Sequence, residues 1–125
     1  MQYKIILEEY SSQKQIHTIV SGLMNEINRD IVAAETVRKM REENITNVIW
    51  DIRETNLDYS LVGSHLVIAD IAKLELMNTD HVAVVYRNDE DQHKHASNVA
   101  FNRSTNIQYF KDNIEDARNW LFKIS

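Results

Sequence analysis

Residues Asn47–Arg53 read NVIWDIR, and this short stretch decides the fold. The run is nearly continuous in apolar residues, which is typical of a strand covered on both faces of a sheet. Residues His81–Arg87, which read HVAVVYR, have the same character. Because parallel sheets are usually buried on both faces, the two runs predict strands of a mainly parallel sheet.

Two β-rich runs, Tyr3–Glu9 and Gln15–Val20, precede these strands. The polar residues 11–14 between them predict a β-hairpin, which would add an antiparallel strand to the sheet. The next segment, Glu26–Glu43, is predicted to be a helix. Its apolar residues recur at intervals of three and four and predict a buried face made of Met24, Ile27, Ile31, Ala34 and Val37. Asn25 is the expected N-cap, and Asn44 the expected left-handed stop.

Helical and strand patterns alternate through the rest of the chain. The sequence predicts a second helix over Ser60–Met77, a polar third helix over Asp91–Arg103, a short edge strand over Ile107–Phe110 and a last helix opened by Asp112. Asp112 with Glu115 fits a capping box, and the predicted buried stripe of the last helix is Ile114, Ala117, Leu121 and Ile124. We therefore expect one α/β domain over residues 1–125, with a mixed, mostly parallel sheet opened by a β-hairpin and with four helices.

The composition excludes several classes of function. The 125 residues include no cysteine and no proline, and the only glycines are Gly22 and Gly63. Disulfides and thiolate chemistry are therefore absent, and a dinucleotide fingerprint or a phosphate-binding loop would need more glycines. The net charge of −5 is the opposite of a nucleic-acid footprint. No secretory signal or membrane span is visible, so we expect a cytoplasmic protein without nucleic acid, cofactor or metal.

Ligands of open α/β sheets bind outside the carboxyl ends of the strands. Seven side chains near those ends are candidates for binding a ligand or partner: Asp51, Arg53, Asn56, Asp58, Ser60, Tyr86 and Arg87. Asp51 and Arg53 are alternate residues of one strand and share a face. They would hold a polar ligand head, or they would form an ion pair at the strand end.

Other candidates each have a structural alternative. Ser60 is either a phosphoacceptor or the N-cap of the second helix. His93 and His95 would bind a metal only on an irregular loop, and otherwise lie on a solvated helix start. A triad of Asp58, Ser60 and His65 is rejected, because five helical positions place His65 about 140° from Ser60. The aromatic residues are interpreted as core rather than as a ligand cavity.

The second helix carries more apolar residues than one buried stripe requires. The excess predicts an interface between copies of the chain, and the residues proposed for it are Leu61, Val67, Ile71 and Leu74. The alternatives are a lipophilic pocket, a membrane surface or burial within the monomer.

The order of these motifs resembles the SpoIIAA-like family, small bacterial relatives of STAS domains. The resemblance covers nearly the whole chain and rests on Val20-Ser21-Gly22, on VIWDIR at 48–53, on VAVVY at 82–86, and on the ending Tyr109-Phe110-Lys111-Asp112, Ala117 and Trp120-Leu121. It implies a sheet of four or five strands with helices and no known catalysis, on a fold similar to that of lipid-binding CRAL-TRIO (Sec14-like) domains.

STAS anti-sigma-factor antagonists carry a phosphorylated serine in an Asp-Ser-Ser-Gly loop. Asp58 and Ser60 match that loop in part, but the tandem serines and the adjacent glycine are missing. The missing residues argue against a phosphorylation switch. The excess apolar surface of the second helix and the lack of a catalytic constellation instead favour a non-enzymatic binding or regulatory module that acts through protein contacts. Its contact surface would be the second helix with the loop Arg53–Ser60, and a homodimer and a regulatory protein partner are expected. The alternative is a carrier or sensor of a small lipophilic ligand at the membrane surface, with Asp51, Arg53 and Tyr86 at the mouth of its cavity.

Overall fold

The computed structural model of the chain describes residues 1–58, 80–102 and 106–124. These residues form five strands, which make a single sheet, and three helices, which flank that sheet. In chain order they are β1 (Gln2–Tyr10), β2 (Gln13–Met24), α1 (Glu26–Glu43), β3 (Asn47–Leu57), β4 (His81–Tyr86), α2 (Glu90–Asn102), β5 (Ile107–Lys111) and α3 (Ile114–Ile124). The helix predicted over Ser60–Met77 lies outside the described residues, so three of the four predicted helices are seen.

The strands follow one another across the sheet in the order of the sequence, from β1 to β5. β1 is antiparallel to β2, and each later strand is parallel to its neighbour. Ser11 and Ser12 join β1 to β2 with positive φ angles of 49° and 68°, which is the geometry of a type I′ hairpin turn. The predicted mixed sheet opened by a hairpin is confirmed.

Helix α1 has the predicted ends but the opposite buried face. The Asn25 side chain accepts a hydrogen bond from the backbone of Asn28 in a capping box, and Asn44 ends the helix in the left-handed conformation. The residues that face the sheet are Arg29, Val32, Thr36 and Met40. Ile27 and Ile31, predicted to be buried, are exposed. The Thr36 hydroxyl is satisfied by the hydroxyl of Thr18 on β2 at 2.9 Å, which allows a polar side chain on the buried face.

Helices pack on both faces of the sheet. On the α1 face, Val32 of α1 packs with Val20, Ile52 and Val84. On the α3 face, Ala117 and Leu121 of α3 pack against the strand residues Ile49, Ala83 and Val85. The predicted stripe of α3 is therefore largely confirmed, although Ile124 is exposed. No helix in the described part of the chain is long and apolar enough to cross a membrane.

The predicted start of α3 is wrong by one residue. Asp112 adopts the left-handed conformation with φ 54°, and the helix begins at Ile114. The side chain of Asn113 accepts a hydrogen bond from the backbone of Asp116 at 3.1 Å and caps the helix. Asp112 instead pairs with Arg87.

Candidate functional site

Strand β3 continues beyond its predicted end at Arg53 and stays paired with β2 as far as Leu57. The pairing changes register, because Ile19 lies opposite Asp51 whereas Ser21 lies opposite Glu54. Two residues of β3 therefore oppose a single residue of β2. Such a bulge bends the strand and redirects a side chain, and it falls at Arg53, one of the predicted site residues.

Arg53 turns back onto Asp51 and forms a two-pronged ion pair. Its Nε donates to Asp51 Oδ1 at 2.9 Å, and its Nη2 donates to Asp51 Oδ2 at 2.8 Å. The backbone N–H of Arg53 also reaches Asp51 Oδ1, at 3.3 Å. Asp51 is buried, so this fork compensates a carboxylate that is shielded from water. The strand-end ion pair was one of the two alternatives that the sequence left open.

Asp51 also contacts His17, which the sequence leaves without an obvious partner. His17 Nε2 lies 2.9 Å from Asp51 Oδ2, and His17 Nδ1 lies 3.1 Å from Glu8 Oε2. Arg118 of α3 donates to Glu8 Oε1 through Nε at 3.4 Å and through Nη2 at 3.3 Å. We call these five residues, Glu8, His17, Asp51, Arg53 and Arg118, the His17 network. It joins β1, β2, β3 and α3.

The electrostatics of the His17 network hold its carboxyl groups ionised. Burial opposes ionisation of Asp51, but hydrogen bonds from His17 and Arg53 outweigh it and keep the pKa of Asp51 well below its usual range. Burial also opposes ionisation of Glu8. The hydrogen bond from Gln15 and the electrostatic effect of His17 outweigh burial and lower the pKa of Glu8. An ionised carboxylate only accepts hydrogen bonds, so a ring nitrogen of His17 bonds to Asp51 or to Glu8 only when that nitrogen carries a proton.

Arg87 is engaged in a second, more exposed group of ion pairs at the ends of β4 and β5. Its Nη1 donates to Glu54 Oε1 at 2.7 Å, and its Nε donates to Asp112 Oδ1 at 3.0 Å. Nearby, Lys111 Nζ donates to Glu90 Oε2 at 2.6 Å. The charged side chains at this edge of the sheet, including the predicted site residue Arg87, are therefore paired with one another.

The predicted site residues do not converge on one cavity. Asp51 lies beside Val85 on the α3 face, whereas Tyr86 lies beside Ile52 in the core of the α1 face. A shared cavity mouth of Asp51, Arg53 and Tyr86 is therefore not formed, since alternate strand residues point to opposite faces. Asn56 and Asp58 are exposed at the far end of β3. Asp58 donates its backbone N–H to Met24, just before α1.

The remaining predicted positions fall in the region from 59 to 79. They are the candidate phosphoacceptor Ser60, the rejected triad member His65, and the interface residues Leu61, Val67, Ile71 and Leu74. All lie outside the described residues.

His93 is buried, contrary to the predicted solvated helix start. Its ring centroid lies 4.8 Å from that of Tyr86 and 6.1 Å from that of Tyr109. Burial lowers the pKa of His93 to about 4, and the charge of Asp89 offsets only part of this effect. The side chain is therefore a neutral member of an aromatic cluster at neutral pH. Within residues 1–58, 80–102 and 106–124, no group of three metal-ligating side chains is close enough to hold an ion.

Two surface features lie away from these polar groups. The outer face of α1 exposes Ile27 by 74% and Ile31 by 54%, with Ala34 exposed beside them. An open groove of about 470 Å³ lies between the start of β1 and the end of β2, and it is lined by Met1, Gln2, Tyr3, Lys4, Ile19 and Ser21. The sequence could not identify either one, because both depend on which faces the helices cover.

Comparison with known proteins establishes the fold. No family model matches the chain, and no curated protein matches it. Among solved structures, it is similar to an uncharacterized protein of the DUF3478 family with a SpoIIAA-like fold from Shewanella loihica PV-4. The match has 18% sequence identity and a TM-score of 0.58, and it covers 95% of this chain and 93% of that one. The chain therefore has a SpoIIAA-like fold, which confirms the resemblance predicted from its sequence.

Proposed function

We propose that this protein is a non-enzymatic binding or regulatory module, and that it contacts a partner protein through the outer face of α1. The observation that carries the proposal is the exposure of Ile27 and Ile31. The two side chains are four residues apart, so they form one ridge on the side of α1 that faces away from the sheet. An exposed apolar ridge on a helix is the feature that a partner's apolar groove receives.

The helix that carries the ridge is well anchored. Capping residues satisfy both ends of α1, and Met40 packs in the core with Ile16 and Val48. The ridge is therefore presented on a rigid support, and little conformational entropy is lost when a partner orders it. Burying one isoleucine side chain would contribute about 2 kcal/mol, so Ile27 and Ile31 together could anchor a contact.

The charges around the ridge are mixed. Asp30 and Glu35 flank the ridge, but Asp30 already pairs with Arg29, and Glu35 accepts a hydrogen bond from Tyr3. Exposed Arg38 lies on the same side of the helix. The apolar ridge itself therefore defines the partner, which we expect to be a protein with an apolar groove.

The polar groups support a binding function rather than catalysis. Asp51 is held by Arg53 and His17, and Arg87 is held by Glu54 and Asp112. A general acid or base must exchange a proton with a substrate within hydrogen-bonding reach. Side chains locked in mutual ion pairs are poorly suited to that task. The SpoIIAA-like fold agrees with a regulatory module, although fold by itself is only an analogy.

Photo-crosslinking inside cells tests the proposal. A photoreactive amino acid at Ile31 is compared with one at Ile124, an apolar and exposed position on α3. We expect one polypeptide to crosslink at position 31 and not at position 124, and to bind the purified wild-type protein. A failure to crosslink any polypeptide at 31, or the same products at both positions, would contradict the proposal.

Native mass spectrometry of gently purified protein tests the alternative function. One possible result is a small molecule that stays bound in a constant ratio to the protein and that added fatty acid or phospholipid replaces once it is removed. This result would assign the protein to the carriers of lipophilic ligands. That result would overturn the proposed module.

A further inference from the structure

Strand β1 ends the sheet on one side, and no strand in the described part of the chain pairs with its outer edge. It is nine residues long and pairs one-to-one with β2 from Gln2 opposite Ser21 to Tyr10 opposite Gln13. It contains neither a bulge nor a proline, which are two of the features that protect an edge strand, and its charged residues Lys4, Glu8 and Glu9 lie on either side of an uncharged centre. A long, regular edge strand of this kind is a template for pairing with another chain.

The side chains of β1 are apolar at its centre and exposed on both faces of the sheet. Ile6 is 39% exposed, Leu7 is 44% exposed and Tyr3 is 38% exposed. Ile6 lies opposite His17 and thus on the α3 face, whereas Leu7 lies on the α1 face. Both surfaces of the edge therefore offer apolar area that a neighbouring strand would cover.

The hairpin turn determines which backbone groups point outward. The two-residue turn closes on Tyr10 and Gln13, so even-numbered residues of β1 direct their N–H and C=O groups to β2. The odd-numbered residues direct theirs to the open edge, and these are Tyr3, Ile5, Leu7 and Glu9. An added antiparallel strand must therefore form its hydrogen-bonded pairs with odd-numbered positions.

We propose that a second copy of this chain adds to the edge, with β1 pairing antiparallel to itself about a two-fold axis at Ile6. Ile6 is the middle residue of Gln2–Tyr10, so this register pairs all nine residues. It places Lys4 opposite Glu8 of the second copy, Ile5 opposite Leu7, and Ile6 opposite itself. The outward backbone groups then meet in odd-with-odd pairs, as the turn requires.

Charge complementarity selects both the occupant and the register. Opposite charges directly across a pair of strands stabilise it. If the axis moved to Ile5, Lys4 would face Ile6, and if it moved to Leu7, Lys4 would face Tyr10. Only the register centred on Ile6 gives Lys4 an acidic neighbour. Glu8 already contacts His17 and Arg118, and its side chain is still 22% exposed, so Lys4 of the second copy would join the His17 network. The sequence of β1 is thus complementary to itself, as an isologous contact requires.

A single-cysteine experiment tests the register. The chain has no cysteine, so an Ile6→Cys variant carries one thiol per copy. Residues opposite each other in a non-hydrogen-bonded pair have Cα atoms about 4.5 Å apart, which a disulfide can span. We expect Ile6→Cys to form a covalent dimer under mild oxidation. Leu7→Cys is the matched control, since its copies would be about 8 Å apart. It should crosslink at least about tenfold more slowly.

Sedimentation equilibrium of the purified protein supplies the second measurement. We expect a dimer for the wild type, and at least about tenfold weaker association for Ile6→Lys, which places two ammonium groups at the axis. Circular dichroism checks that Ile6→Lys stays folded. A wild-type monomer at every concentration would overturn the inference, as would a dimer that crosslinks equally at positions 6 and 7. Because no other protein is present, either failure leaves the proposed partner contact at α1 unaffected.

Discussion

His17 and Asp51 are buried neighbours on adjacent parallel strands, and His17 Nε2 lies 2.9 Å from Asp51 Oδ2. The other ring nitrogen of His17 faces Glu8, so one imidazole connects carboxylates from β1 and β3. This arrangement places a charged network where an apolar layer would otherwise continue across the α3 face. Its effect is to fix the relative positions of three strands.

Asp51→Asn should lower the free energy of unfolding by about 3 kcal/mol, because removing one partner leaves the other buried charges uncompensated. The matched control is Asp112→Asn, which weakens the exposed pair with Arg87 and should cost less than about 1 kcal/mol. Both changes are nearly isosteric. Urea unfolding at pH 7 measures the two losses, and equal losses would show that the His17 network does not stabilise the fold.

The stabilisation by Asp51 should depend on pH in the acid range. The pKa of Asp51 is lower in the folded state than in the unfolded chain, so its contribution is complete above the unfolded value near 4. This contribution is lost as the pH falls from the pKa of Asp51 in the unfolded chain toward its lower pKa in the folded state. The difference in unfolding free energy between wild type and Asp51→Asn should therefore be larger at pH 5 than at pH 3, and it should shrink as the pH falls below about 4. A difference that grew on acidification would contradict this assignment.

His93 should destabilise the fold in a separate pH window. Its folded pKa is about 4, below the unfolded value near 6.5, so the unfolded state binds the proton first as the pH falls. Stability should decline between about pH 6.5 and pH 4, by up to about 3 kcal/mol. His93→Phe keeps a ring between Tyr86 and Tyr109 and should remove this decline. A titration of His93 followed by NMR with a midpoint near 6.5 would refute the prediction.

Asn44 provides a test of the end of α1. Its φ of 54° favours glycine and tolerates asparagine, whereas a residue with a Cβ atom and no local hydrogen bond is strained there. Asn44→Ala should lower the free energy of unfolding by about 1 kcal/mol, and Asn44→Gly should be neutral or stabilising. Thermal melts of the two variants compare them directly. Equal melting temperatures would mean that the left-handed conformation does not limit the choice of residue.

The sequence could predict those features that depend on local signals. The hairpin, the strands of the sheet and both caps of α1 follow from turn residues, apolar runs and helix-end residues. The buried face of α1 could not be predicted in the same way. Ile27 and Ile31 are more apolar than Arg29 and Thr36, and hydropathy therefore predicted the wrong face of α1 to be buried. Thr36 is acceptable inside because Thr18 satisfies it, and that partner is known only from the packing.

The candidate site shows the same limit. The pairing of Asp51 with Arg53 was one of two open alternatives, since alternate strand residues share a face. The contact between Asp51 and His17 depends on the register of β2 against β3, which no local pattern specifies. Likewise, the burial of His93 depends on how α2 packs over Tyr86 and Tyr109. The interface predicted on residues 60–77 lies outside the described part of the chain and stays a prediction.

The affinity of the partner captured at Ile31 tests the central claim most directly. The double substitution Ile27→Ser and Ile31→Ser removes the apolar ridge of α1 and leaves the core untouched. We expect it to weaken binding of the purified partner by up to about a thousandfold, because two buried isoleucine side chains are lost from the contact. The control Ile124→Ser should bind like the wild type, and all three proteins should melt at similar temperatures. Unchanged affinity in the double variant would contradict the account.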